Sequence, residues 1–270
     1  MTYEAQKIGT VEGLGDIYRV AAPLDKQLRA FADKGIHTLA APDEVAQIRL
    51  AGVSKDYSRT SMAPIALKGK KTILVRDSIL MNPLMAPVAV RAYASKRHFE
   101  TNRDVYEAAE ALAKSQESMA PEDRSALIVS QRGCFILTPE MPESQFIFRK
   151  QTEPYFDEFT KQTKPYFDRF TKGTIEFENL PEDSNSQVIF NYLWFGHYRV
   201  LHCGWLGLDK DEAAYGVLRT AEGTSQRISG AEVSISALSL AEVLEFSRRY
   251  VSEAARDEYE SGIRSIFFKK

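Results

Sequence analysis

Residues 188–209, VIFNYLWFGHYRVLHCGWLGLD, constrain this chain more than any other stretch. Both tryptophans (Trp194 and Trp205), the histidines His197 and His202, and Cys203 fall inside it. So much aromatic and β-branched area with so little polar punctuation suits strands buried on at least one face. Successive side chains of a strand point to opposite faces. One face then carries Phe195, His197, Arg199, Leu201, Cys203 and Trp205; the other carries Tyr192, Trp194, Tyr198, Val200 and His202. Gly196 and Gly204 mark bulges or turns at which the parity resets.

That parity bears on chemistry. His197 and His202 face opposite ways, and His197 and Cys203 lie ~20 Å apart on one extended strand at roughly 3.3 Å per residue. Only a hairpin folding near residues 199–201 brings them together. Buried histidine and free cysteine pack more often than they ligate, so we read these residues first as core and expect no metal site here. His197, His202 and Cys203 are the weak catalytic candidates. No GxSxG motif accompanies them, and His202 points away from its neighbour Cys203, so a base would come from His37, His98 or His197. If the stretch walls a pocket, Asn191, Trp194 and Arg199 supply its ring and polar groups.

The densest basic cluster is Lys68-Gly69-Lys70-Lys71 followed by Arg76, with Arg59 before it and Arg91, Lys96, Arg97 and His98 after it. Cations beside backbone amides are what a phosphate needs. Neither GxxxxGK[ST] nor GxGxxG is present, so no cofactor is identified, and a lysine-rich turn is commonly a solvated hairpin tip. The expected ligand-binding set is Lys68, Lys70, Lys71, Arg76, Asn191, Trp194 and Arg199. We expect a small phosphorylated or nucleotide-type ligand, with or without catalysis, between the basic segment 68–76 and the aromatic stretch 188–206.

A second feature suggests a different class of function. QTEPYFDEFTK at 151–161 is followed at once by QTKPYFDRFTK at 162–172. Eleven residues at about 100° each make three turns plus about 20°, so Tyr155, Phe156 and Phe159 nearly superpose on Tyr166, Phe167 and Phe170. Pro165 breaks or kinks the helix between them. The alternative function is therefore self-association or partner binding through these six rings. Aromatic stripes are more often core, and the mixed charges around these rings disfavour a lipid surface.

Along the chain, β–α alternation marks the first third: strands near residues 2–22, a helix from Pro23 to Gly35, a strand at 36–41 and a helix opening at Pro42. A hairpin follows about Gly69, a helical run from about Leu84, a better helix after Asp104, and a break at Pro121. SALIVSQRGCFILT reads as a hairpin about residues 131–133. Further strands are expected at 174–180, 215–220 and 227–234. Ser239 and Glu242 form a capping box for a long helix reaching about Arg264. The fold class expected is α+β: a central sheet that includes 188–206, flanked by helices, with that long helix packed on it. We expect one globular unit over 1–270, with possible sub-domains 1–120 and 121–270.

The net charge of −2 disfavours a general nucleic-acid or anionic-membrane binder, although the first hundred residues are mildly basic and the next hundred acidic. Two cysteines without a CxxC pair make no disulfide framework. The first residues lack a charged segment followed by an apolar run, and no apolar stretch approaches the length of a membrane span. We therefore expect a soluble cytoplasmic protein.

Overall fold

In the computed structural model, the described residues are 3–76, 99–101, 103–161, 175–178, 188–190, 193–196, 200–203, 210–219 and 260–261. Their framework is two β-sheets. The larger has eight strands in the spatial order β1 (Gln6–Val11), β2 (Gly15–Ala22), β13 (Glu212–Leu218), β3 (Ser58–Arg59), β11 (Trp194–Phe195), β12 (Val200–His202), β9 (Ile175–Glu178) and β8 (Phe135–Leu137). The smaller has five: β6 (Phe99–Thr101), β10 (Val188–Phe190), β4 (Ala63–Ala66), β5 (Ile73–Val75) and β7 (Ala126–Ile128). Five short helices accompany them: α1 (Leu24–Ala32), α2 (Pro42–Leu50), α3 (Arg103–Ser115), α4 (Pro142–Phe148) and α5 (Thr152–Lys161).

The α+β expectation is corrected to a β-rich fold. The aromatic stretch does not lie in one central sheet. Its first part, β10, pairs with β4 and β6 in the small sheet, while β11 and β12 form a hairpin in the large one. The long C-terminal helix is absent from the described elements. Of residues 239–264 only Glu260 and Ser261 are described, and the expected strand at 227–234 and the helical run from Leu84 lie outside the described residues. Residues 36–41 are no strand, although their polar backbone is satisfied: the Ala40 amide donates to Tyr215 O and the Ser61 amide to Ala40 O. The hairpin read at 131–133 is a crossover. β7 joins β5 in the small sheet and β8 joins β9 in the large one.

Local sequence explains most elements once their partners are known. α2 opens at Pro42, whose missing N–H costs nothing there, and the Glu44 carboxylate accepts the Ala41 amide at 2.7 Å. Period-two burial governs β8, β9 and β12. Phe135, Leu137, Ile175, Phe177 and Leu201 are buried, whereas Ile136 is exposed and Glu176, Glu178, Val200 and His202 are half-buried. The core under this face is aromatic. Phe148 of α4 stacks on Tyr155 of α5 with centroids 4.7 Å apart, and meets Phe195 edge-on at 5.9 Å. Both sheets contain strands from before and after residue 121, with β13 between β2 and β3 and β10 between β6 and β4.

Two buried arginines brace the sheet junctions. Arg59 is fully buried and donates to Ala22 O, Lys210 O and the Gln27 side chain, tying β2, α1 and the approach to β13 to the short strand β3. Arg49 donates to the carbonyls of Asp56, Phe195 and Gly196, holding the end of β11. Five donors in a planar fork make arginine the side chain suited to collecting several carbonyls.

Candidate functional site

The best-defined polar arrangement lies where β9 and β12 end side by side. These strands are parallel, with Val200 opposite Glu176, Leu201 opposite Phe177 and His202 opposite Glu178. Glu178 and His202 therefore share the outer face, and His202 Nδ1 stands 2.6 Å from Glu178 Oε2. Each side chain is 24% exposed. A carboxylate oxygen accepts, so His202 Nδ1–H is the donor of this bond. Gly196 makes room for this ring. A Cβ there would meet Nε2 at 2.7 Å, closer than any side chain tolerates. The imidazole is thus held at one edge by a carboxylate and lies close against backbone at the other, as an acid–base or hydrogen-bonding group must be.

A basic corner lies on the loop that leads into β8. Turn 68–71 and loop 130–133 are interlocked: Lys71 Nζ donates to Ser130 O at 2.7 Å, and Arg132 Nη2 donates to Gly69 O. Both segments need a left-handed backbone, at Gly69 (φ 78) and Gly133 (φ 66), which glycine adopts without a Cβ clash. The buried Glu143 of α4 accepts the Ser130 amide and fixes the loop from below. Lys68, Lys70, Lys71 and Arg132 are all exposed. The loop then runs through Cys134 into β8, where Phe135 pairs with Phe177, so one further step in that register sets Cys134 alongside Glu178. Loop 130–133 therefore leads from the basic corner to the strand end that carries Glu178.

The residues singled out in the sequence fall into three groups. Lys68, Lys70 and Lys71 stand at the basic corner, and β10, the first part of the aromatic stretch, pairs with β4 of the same hairpin. Trp194 lies in the large sheet, directly opposite His202 on one side and Arg59 on the other. Arg76 is engaged elsewhere: its guanidinium donates to the carbonyls of Arg124, Glu122 and Phe146 and lies 4.4 Å over the Phe146 ring. Cys203 is buried in the core, and burial foremost, with Cys134 and Glu178 nearby, pushes its thiol well above the ordinary range. A thiol so placed is no nucleophile. Asn191, His197 and Arg199 lie outside the described residues, as do Arg91, Lys96, Arg97 and His98.

Of the repeat, Tyr155 and Phe156 are buried against Phe148, and Arg49 Nη1 donates to the Tyr155 hydroxyl. Tyr166, Phe167 and Phe170 lie outside the described residues, and nothing is described of the Phe159 side chain. Sequence reasoning missed Glu178, Arg132 and Glu143. Glu178 was legible only as one outward position of the alternating run IEFE, and nothing in the sequence joined loop 130–133 to turn 68–71. Among the described residues no group of histidine, cysteine and carboxylate side chains is arranged to hold a metal ion, and no helix is long and apolar enough to cross a membrane.

Two sheets with short helices define a β-rich fold. No family model matches the chain, and no curated protein matches it. A solved structure described as "Accommodation of massive sequence variation in Nanoarchaeota by the C-type lectin fold" is similar to it, with a TM-score of 0.52. The identity is 13%, and the match covers 80% of this chain and 98% of the other. At that identity the likeness shows the fold alone.

Proposed function

We propose that this protein binds a small phosphorylated or nucleotide-type ligand at the end of the large sheet, where the basic corner meets the Glu178–His202 pair. The observation that carries this reading is the interlock of turn 68–71 with loop 130–133, which gathers Lys68, Lys70, Lys71 and Arg132 at one corner of the molecule, on the loop that leads into the strand paired with β9. Four cations answer a phosphate, and an oriented imidazole answers a neighbouring hydroxyl or ring N–H. The neighbour's fold is described as one that accommodates massive sequence variation in Nanoarchaeota. Such a scaffold suits recognition. Tyr155 and Phe156 are buried, so these two rings of the first copy have little to offer as a docking surface.

Thermal shift against nucleotides and phosphorylated metabolites tests the proposal. A true ligand raises the melting temperature with its concentration, as mass action requires. Lys70→Ala combined with Arg132→Ala should weaken that shift, and His202→Ala should weaken it further for ligands with a free hydroxyl. A panel without any shift, or a shift untouched by these substitutions, rules the site out.

A further inference from the structure

A buried cation is normally matched by an opposite charge, because an uncompensated one is costly in a low-dielectric interior. Arg49 departs from this. It is 4% exposed, its guanidinium lies 4.9 Å over the Phe195 ring, and its Nη atoms donate to neutral oxygens: the carbonyls of Asp56, Phe195 and Gly196, and the Tyr155 hydroxyl. Among the described residues no carboxylate forms an ion pair with it. The nearby Asp56 carboxylate is taken by Arg19, 2.9 Å away. Arg49 Nε is buried and has no acceptor among the described residues.

A second orphan stands beside it. Ser58 is fully buried, and its Oγ has no hydrogen-bond partner among the described residues either. Ser58 pairs directly with Phe195 across β3 and β11, so the two side chains rise from the same face, their Cβ atoms about 5 Å apart. The ring that Arg49 covers is thus the ring beside which the Ser58 hydroxyl sits, and the carbonyl two residues before Ser58 is already bound to Arg49. Two buried donors, one of them charged, thus belong to side chains gathered about the same Phe195 ring, and such groups in native proteins almost always have partners.

We propose that Arg49 Nε and the Ser58 hydroxyl hold a small monovalent anion, with chloride as the simplest occupant. An anion satisfies both donors and supplies the missing charge; a water molecule does only the first. Because Arg49 also grips the Phe195 and Gly196 carbonyls, the bound anion steadies the strand end against which His202 rests. The site is separate from the exposed basic corner, because Arg49 and Ser58 are both buried.

Melting curves at constant ionic strength, with chloride exchanged stepwise for gluconate, read the binding directly. Wild-type protein should melt at a temperature that climbs with the logarithm of chloride concentration. Ser58→Ala, which removes one small hydroxyl from the core, should need about tenfold more chloride for the same rise. Crystals grown in bromide should show anomalous scattering between Arg49 and Ser58. A melting temperature indifferent to halide, an equal response in Ser58→Ala, or a position that holds water in bromide crystals overturns the proposal.

Discussion

Cys134 and Cys203 show how far two identical residues diverge by position. Cys134 is exposed at the start of β8, whereas Cys203 is buried and its thiol is raised well above the ordinary range, first by desolvation. Both flank Glu178: the β8–β9 register places Cys134 alongside it, and the Cys203 amide donates to its carbonyl from the β12 side. Two inter-strand spacings put their Cα atoms about 10 Å apart, beyond the reach of a disulfide. In native protein a thiol reagent should therefore label one cysteine quickly, and the second should react only after denaturation. Two fast thiols, or loss of both on mild oxidation, would contradict this placement. His202 and Gly196 are coupled in a similar way, since a side chain at 196 and the imidazole need the same space.

At the scale of elements, α5 converts the first copy of the repeat into core. Phe156 is 2% exposed and meets Phe148 edge-on at 5.7 Å, while Tyr155 stacks on Phe148 and contacts Phe195 of β11. Truncating a ring so enclosed removes its transfer energy and leaves a cavity. Phe156→Ala should cost ~3–5 kcal/mol in denaturant melts, with unchanged sedimentation of the folded protein. A loss under about 1 kcal/mol with altered association would instead return the repeat to the surface.

Across the whole molecule, three buried phenols join distant parts of the chain. Tyr106 of α3 donates to Lys71 O at 2.6 Å, Tyr155 of α5 accepts from Arg49, and Tyr215 of β13 donates to Ser54 Oγ at 2.7 Å. Desolvation foremost raises all three, Tyr106 to about 12. Raised values favour the protonated fold. This contribution is therefore complete below the ordinary tyrosine value of about 10 and is lost as pH climbs from there through the folded values. Absorbance at 295 nm should show a late group of tyrosines that ionises together with unfolding. Complete titration of all tyrosines near pH 10 with the fold intact would refute the burial.

Local chemistry alone determined much of this protein. Proline at 42, glycine at 69 and the strong helix formers after Asp104 act within a few residues, so α2, the β4–β5 turn and α3 were legible, as was the alternation that turns Leu201 and Cys203 inward and His202 outward. Tertiary structure decided what depends on distant pairing. That the aromatic stretch is divided between two sheets, that β7 and β8 part company, and that Glu178 meets His202 are outcomes of strand registers between segments far apart in the chain. Hydrophobic pattern is blind to these, because any outward position of a strand looks like any other until its neighbour is known. Arg49 and Arg59 make the same point: their burial follows from carbonyls contributed by segments up to about 150 residues away in the chain. Their charge braces the interior, where an arginine fork finds enough acceptors to be held.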